Sequence, residues 1–310
     1  MRGLLLSYWE ESGGFLFMQL KLGSICRILL FSFFASLFLT LGLAEAANVF
    51  IKKPKVRAII PPGGAKSGLI ELENPSPEPL SIKVYLEDWV YGPLHDGTKE
   101  FSPPGTTPLS CTDWISFSPA EFVIPPFGRQ NISYMIRVPP EAKGGHYATL
   151  FCENVLGSPD LQTGIGMNIV IRVASLFYIE PEGTIKRQGE ISNLSLTRGS
   201  QDSALTIDLG FKNTGNVDIT VSGSYHIIDD QGMVLARGEF NNVYTFPQDT
   251  AKLATTWKEP LPKGVYDLVL TLDIGKALEE AGLGRGPVIT KEAEIEIGKS
   301  QEVIKVTALK

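Results

Sequence analysis

Residues 80–90 alternate in character: Leu80, Ile82, Val84 and Leu86 hold one parity, and Ser81, Lys83 and Glu87 the other. A repeat of two puts every second side chain on the same face, as in a strand with one face in a core and one in solvent. Residues 130–138 repeat the pattern, with Ile132, Tyr134, Ile136 and Val138 on one side. Helical spacing is nearly absent; 276–281 makes one turn and little more. The 21 prolines and 31 glycines punctuate short apolar runs at 55–60, 66–73, 80–90, 114–117, 121–124, 130–138, 147–154 and 167–178. Turn chemistry such as Asn74-Pro75-Ser76-Pro77 and Asp96-Gly97 falls between them. Short strands spaced about 8–12 residues apart predict an antiparallel sandwich.

A second series begins after Glu180-Pro181-Glu182-Gly183, with runs at 190–197, 204–212, 219–228, 233–240, 251–257, 265–273 and 288–297. Seven strands in about 110 residues is the size of one immunoglobulin-like sandwich. The predicted fold class is therefore all-β, with two tandem immunoglobulin-like β-sandwich domains at 47–182 and 183–298 and a tail at 299–310. Asn213-Thr214-Gly215-Asn216 and Asp229-Asp230-Gln231-Gly232 are predicted as hairpin-type turns, since Asn and Gly tolerate positive φ.

Residues 28–44 are continuously apolar, follow Lys21 and Arg27, and lead into the small-x-small pattern Ala44-Glu45-Ala46. This predicts a cleaved signal peptide over 1–46, in preference to a retained anchor, with Ala47 as the first mature residue. Met18 starts a more typical signal, so 1–17 reads as an over-extended start. Cleavage removes Arg2, Lys21 and Arg27 together with Glu10, Glu11 and Glu45, leaving the net charge at −6. No later segment is long and apolar enough to cross a bilayer, so the expected location is the periplasm or cell envelope. Export permits a disulfide between Cys111 and Cys152, worth about 4 kcal/mol by loop closure. Two small buried hydrophobes fit equally well, and spacing alone does not choose.

The charge balance lacks the basic excess that nucleic acid requires. His95, His146 and His226 lie far apart, with no metal-ligand spacing. There is no nucleophile elbow, and Gly282-Leu283-Gly284-Arg285-Gly286 opens no helix after a strand. No catalytic residue, metal or cofactor is expected. Glu87 and Asp88 beside Trp89 and Tyr91 fit either a carbohydrate-binding edge or sandwich core next to solvated charge.

Three stretches of the first domain carry a family likeness: Val56-Arg57-Ala58-Ile59-Ile60 with the following Ile70–Pro75 strand and turn, the Pro125–Gly128 turn into 132–138, and the run 167–179 with its exit Leu176-Phe177-Tyr178-Ile179-Glu180-Pro181. In order and spacing this domain resembles the periplasmic pilus-chaperone (PapD-like) family. The resemblance implies a chaperone-like protein that binds an exported pilin-like or surface subunit by β-strand addition, with an outer-membrane usher as a further partner. It implies Arg57 as the anchor for a client carboxylate, and Met167, Ile169, Ile171 and Val173 as the strand lent to the client. The same four residues also suit the domain's own core. The family's lysine position falls on Ser175; the nearest cation, Arg172, points to the opposite face of a regular strand. The second domain looks like a generic exported sandwich. The alternative reading is therefore a structural or adhesive envelope protein of tandem domains that binds wall polymer or another envelope protein.

Overall fold

The alternating runs become strands whose buried parity is the apolar one. A computed structural model describes residues 49–156, 169–198 and 204–310. The signal segment expected over 1–46, and Met167, lie outside the described residues. The first ten strands are β1 (Phe50–Ile51), β2 (Lys55–Ile60), β3 (Ala65–Glu73), β4 (Leu80–Tyr91), β5 (Lys99–Ser102), β6 (Ile115–Ser118), β7 (Glu121–Ile124), β8 (Arg129–Arg137), β9 (His146–Leu156) and β10 (Ile169–Pro181). They build two facing sheets, β1-β3-β8-β6 and β2-β10-β9-β4-β5, with β7 also on β4. In β4, Leu80, Ile82 and Val84 are buried while Ser81 and Lys83 are exposed. In β8, Ile132, Tyr134 and Ile136 are buried between exposed neighbours. Those inner faces, with Ile70, Leu72, Ile124, Leu150 and Phe177, make the first core.

The remaining strands are β11 (Gly189–Arg198), β12 (Leu205–Asn213), β13 (Ile219–Ile228), β14 (Val234–Thr245), β15 (Thr250–Trp257), β16 (Gly264–Asp273), β17 (Val288–Ile297) and β18 (Val303–Val306), with the short helix α1 (Lys276–Glu280) before β17. They form the sheets β11-β12-β15 and β14-β13-β16-β17-β18 around a second core that includes Ile207, Phe211, Tyr225, Leu253, Leu270 and Ile295. All-β architecture with immunoglobulin-like sandwiches is thus what the chain adopts. Beyond the sequence reading, β1 and β5 appear, and the tail supplies β18. The described residues group into one compact unit.

One expectation is corrected and one open alternative is decided. Asn213–Asn216 is not a hairpin: β12 and β13 lie in different sheets, so this turn is a crossover. Its Asn213 side chain caps the turn by accepting from Gly215 N–H at 3.0 Å and donating to Val217 O at 2.9 Å. The true hairpin is Asp229–Gly232, where Gly232 takes φ 81° and Asp229 accepts the N–H groups of Gln231 and Met233.

The disulfide is also absent: Cys111 and Cys152 are free, buried thiols. Cys111 donates its N–H to Tyr147 O at 3.0 Å, and Cys152 lies five residues further along β9, roughly 17 Å away at about 3.4 Å per residue. A disulfide needs Cα atoms within about 7 Å. Burial pushes the Cys152 thiol up to about 12 and that of Cys111 well above the ordinary range. Both act as small core hydrophobes.

Candidate functional site

The candidate site is organised around β10. Its first half pairs with β9 only, from Ile169 opposite Leu156 onward. Its second half gains β2 on the other side, in parallel, from Leu176 opposite Lys55 to Pro181 opposite Ile60. Among the described residues, 169–175 therefore has one open edge. Closure begins at Pro54: Leu176 donates its N–H to Pro54 O at 2.9 Å, and the Ser175 hydroxyl donates to Lys53 O at 2.7 Å. Upstream of Pro54 the chain switches to the other sheet, where β1 pairs with β3.

The phase of the open edge follows from those bonds. Leu176 N–H and Glu182 N–H both point toward β2, and backbone groups of successive strand residues alternate sides. Val170, Arg172 and Ala174 consequently turn their N–H and C=O groups to the open edge, while Ile171, Val173 and Ser175 turn theirs to β9. Side chains alternate as well. Val170 is 50% exposed, Arg172 is exposed, Ile171 is half-buried, and half-buried Val173 packs against the first core. For Val173 the core role is thus the one observed. Ile169 opens β10. Arg172 does lie on the face opposite Ser175; its guanidinium stacks 4.3 Å from the Phe151 ring centroid and sits 3.7 Å from Glu87.

Arg57 is not open to an incoming carboxylate. Its side chain is 1% exposed and already holds two of the chain's own acids. It makes a bidentate pair with Asp218, at 3.1 and 2.6 Å, and a further bond to Glu180, which also accepts from Arg187 at 2.6 Å. Asp218 follows the Asn213–Asn216 crossover, which is itself docked on the first sandwich by Gly145 N–H donating to Asn216 O at 2.8 Å. Tyr147 completes the arrangement: its hydroxyl accepts Asp218 N–H at 2.6 Å and donates to Asp218 Oδ1 at 3.2 Å. Burial pulls the Arg57 pKa down, but Asp218 and Glu180 outweigh it and the net shift is upward. A bidentate, fully desolvated guanidinium is the arrangement in which paired charge matters most. Trp89, Tyr91, Tyr147, Tyr178 and Phe246 pack beside it as one aromatic cluster. Trp89 is thereby buried, with its indole N–H donating to Ala148 O at 3.2 Å, so this tryptophan belongs to the joint between the sandwiches and forms no carbohydrate-binding edge.

The accessible cations lie just beside Arg57. A cavity of about 640 Å³ at the edge of β2 is lined by Lys53, Lys55, Lys66, Tyr134, Glu280 and Ala281, among others. Lys55 Nζ stands 4.9 Å from the Tyr178 ring centroid and 3.9 Å from Glu280 Oε2. Burial, and next the neighbouring Arg57 charge, lower the Lys55 pKa, while Asp218 and Glu280 act to raise it. Sequence reasoning passed over Lys55, Asp218 and Glu280. The run Lys52-Lys53-Pro54-Lys55 was the available signal for the first, with cations flanking a residue that cannot donate to a sheet.

No protein-family model and no curated protein matches the sequence. Solved structures are similar at low identity. A chain of the chaperone–tip adhesin complex of CFA/I fimbriae is 16% identical over 79% of this chain and 98% of its own, with a TM-score of 0.45. A chain of the Salmonella enterica SafA pilin–SafB chaperone complex is 12% identical over 80% and 97%, with a TM-score of 0.38. A PapD-like domain of human CEP192 is 16% identical over 46% and 90%, with a TM-score of 0.30. No helix among the described residues is long and apolar enough to cross a membrane.

Proposed function

We propose that this protein is a periplasmic chaperone-like protein that receives a strand of an exported pilin-like or surface subunit on the open edge of β10. The observation that carries the reading is the half-paired state of β10: seven consecutive residues, 169–175, with β9 on one side and no strand on the other among the described residues. An unpaired strand edge of this length is an aggregation liability in a secreted protein unless a partner covers it. Strand addition supplies that cover, with backbone bonds giving affinity and side-chain parity giving register. The backbone phase makes Val170, Arg172 and Ala174 the pairing residues.

Direction follows from charge. The open edge runs into Pro54, flanked by Lys53 and Lys55. A client strand lying where β2 would continue, with its terminal carboxylate at these lysines, runs parallel to β10 as β2 does. In this reading the cationic anchor implied for Arg57 passes to Lys55 and Lys53, and Arg57 holds the sandwiches in the orientation that keeps them presented.

The test is binding of a purified exported subunit, one strand short of a complete sandwich, measured by biolayer interferometry. A charge-assisted hydrogen bond contributes about 1.5–3 kcal/mol, so the double substitution Lys53→Met with Lys55→Met is expected to weaken binding about 10- to 100-fold. Unchanged affinity would remove the carboxylate anchor from the account.

A further inference from the structure

We infer that Glu280 is a resident competitor for the carboxylate site, a side chain of the second sandwich that occupies Lys55 until a client's terminal carboxylate displaces it; this rests on the anchor role proposed for Lys55. Three lysines and one acid are among the residues that line this cavity. Arg57 also borders it, but its charge is already met by Asp218 and Glu180. Glu280 is therefore the one lining carboxylate that faces an unmatched excess of cations.

Its position is set by the backbone of the short α1 excursion. Glu280 ends α1, where Gly282 N–H donates to Glu279 O at 3.0 Å and Leu283 N–H to Leu278 O at 2.9 Å. Gly282 turns the chain away with φ 69°, a value that favours glycine. The base of this excursion is a close crossing of Gly275 and Gly286, where a Cβ on Gly275 would meet Gly286 Cα at 2.0 Å. The short helix is thus held at the cavity mouth with its last carboxylate toward Lys55.

The contact itself is weak by design of its geometry: Oε2 lies 3.9 Å from Nζ, and both side chains keep solvent, 51% exposed for Glu280 and 36% for Lys55. A half-exposed pair of this kind contributes little on its own, which is what a displaceable counter-ion needs. It partly neutralises Lys55 while the site is empty and raises the threshold for a ligand carboxylate. A ligand without a terminal charge gains nothing from displacing it, so Glu280 acts on selectivity for the carboxylate and leaves backbone pairing untouched.

The experiment uses a fluorescent nine-residue peptide of alternating valine and threonine ending in a free α-carboxylate, and its C-terminal amide twin, titrated against the unaltered protein, Glu280→Gln and Lys55→Met at low salt. Glu280→Gln is expected to tighten the carboxylate peptide by about two- to five-fold and leave the amide twin unchanged, with the gain fading as salt screens the pair. Lys55→Met is expected to abolish the preference for carboxylate over amide. If Lys55→Met removes that preference but Glu280→Gln leaves it as it was, the competitor role is overturned while the anchor stands. If neither substitution alters it, the anchor falls, and the competitor falls with it.

Discussion

Replacing Asp218 with alanine is expected to cost about 3–5 kcal/mol of stability, the size associated with stranding one member of a buried ion pair. Arg57 would keep Glu180 but lose its bidentate partner at 3.1 and 2.6 Å. Tyr147, buried beside it, would lose the carboxylate to which its hydroxyl donates. Nothing exposed can take over, since the Arg57 side chain is 1% and Asp218 0% exposed. Urea unfolding followed by tryptophan fluorescence measures this directly, because Trp89 lies in the aromatic cluster at the same joint, 5.2 Å from the Phe246 centroid. Asp218→Asn, which keeps a hydrogen-bonding side chain but removes the charge, is expected to fall between the unaltered protein and Asp218→Ala. A loss below about 1 kcal/mol for Asp218→Ala would mean that the network does not hold the sandwiches together.

Val170→Pro is expected to leave the fold intact and to weaken subunit binding at least about tenfold. Proline removes an N–H and is tolerated on an edge where that group faces solvent. The Val170 N–H faces the open edge, by the same alternation that sends Leu176 N–H to Pro54 O. Val173→Pro is the control of opposite phase. Its N–H faces β9, where Val173 lies opposite Cys152, so that substitution is expected to destabilise the first sandwich itself. The pair of variants separates damage to the fold from damage to the edge.

The architecture was legible because strand parity is a local property. Leu80, Ile82 and Val84, or Ile132, Tyr134 and Ile136, announce their buried face without any knowledge of partners. What joins to what is not local. Asn213–Asn216 has turn chemistry whether it closes a hairpin or crosses between sheets, and only the pairing of β12 with β11 and β15, and of β13 with β14 and β16, decides. Arg57 stands out in the sequence as a candidate anchor, yet its partner Asp218 lies 161 residues away, and no spacing rule connects them. Cys111 and Cys152 met the same limit: separation in sequence carried no information about a gap set by β9. Lys55 is readable as a strand residue, but the role proposed for it depends on β10 ending its open stretch beside Pro54.

Amide-resolved hydrogen exchange on the isolated protein and on its complex with an exported subunit tests strand addition most directly. In the isolated protein Val170, Arg172 and Ala174 are expected to exchange freely while Ile171 and Val173 are protected by β9. In the complex the first three are expected to become protected too. Alternating protection that fills in on binding is the expected result; exchange at Val170, Arg172 and Ala174 that stays fast in the complex would contradict it.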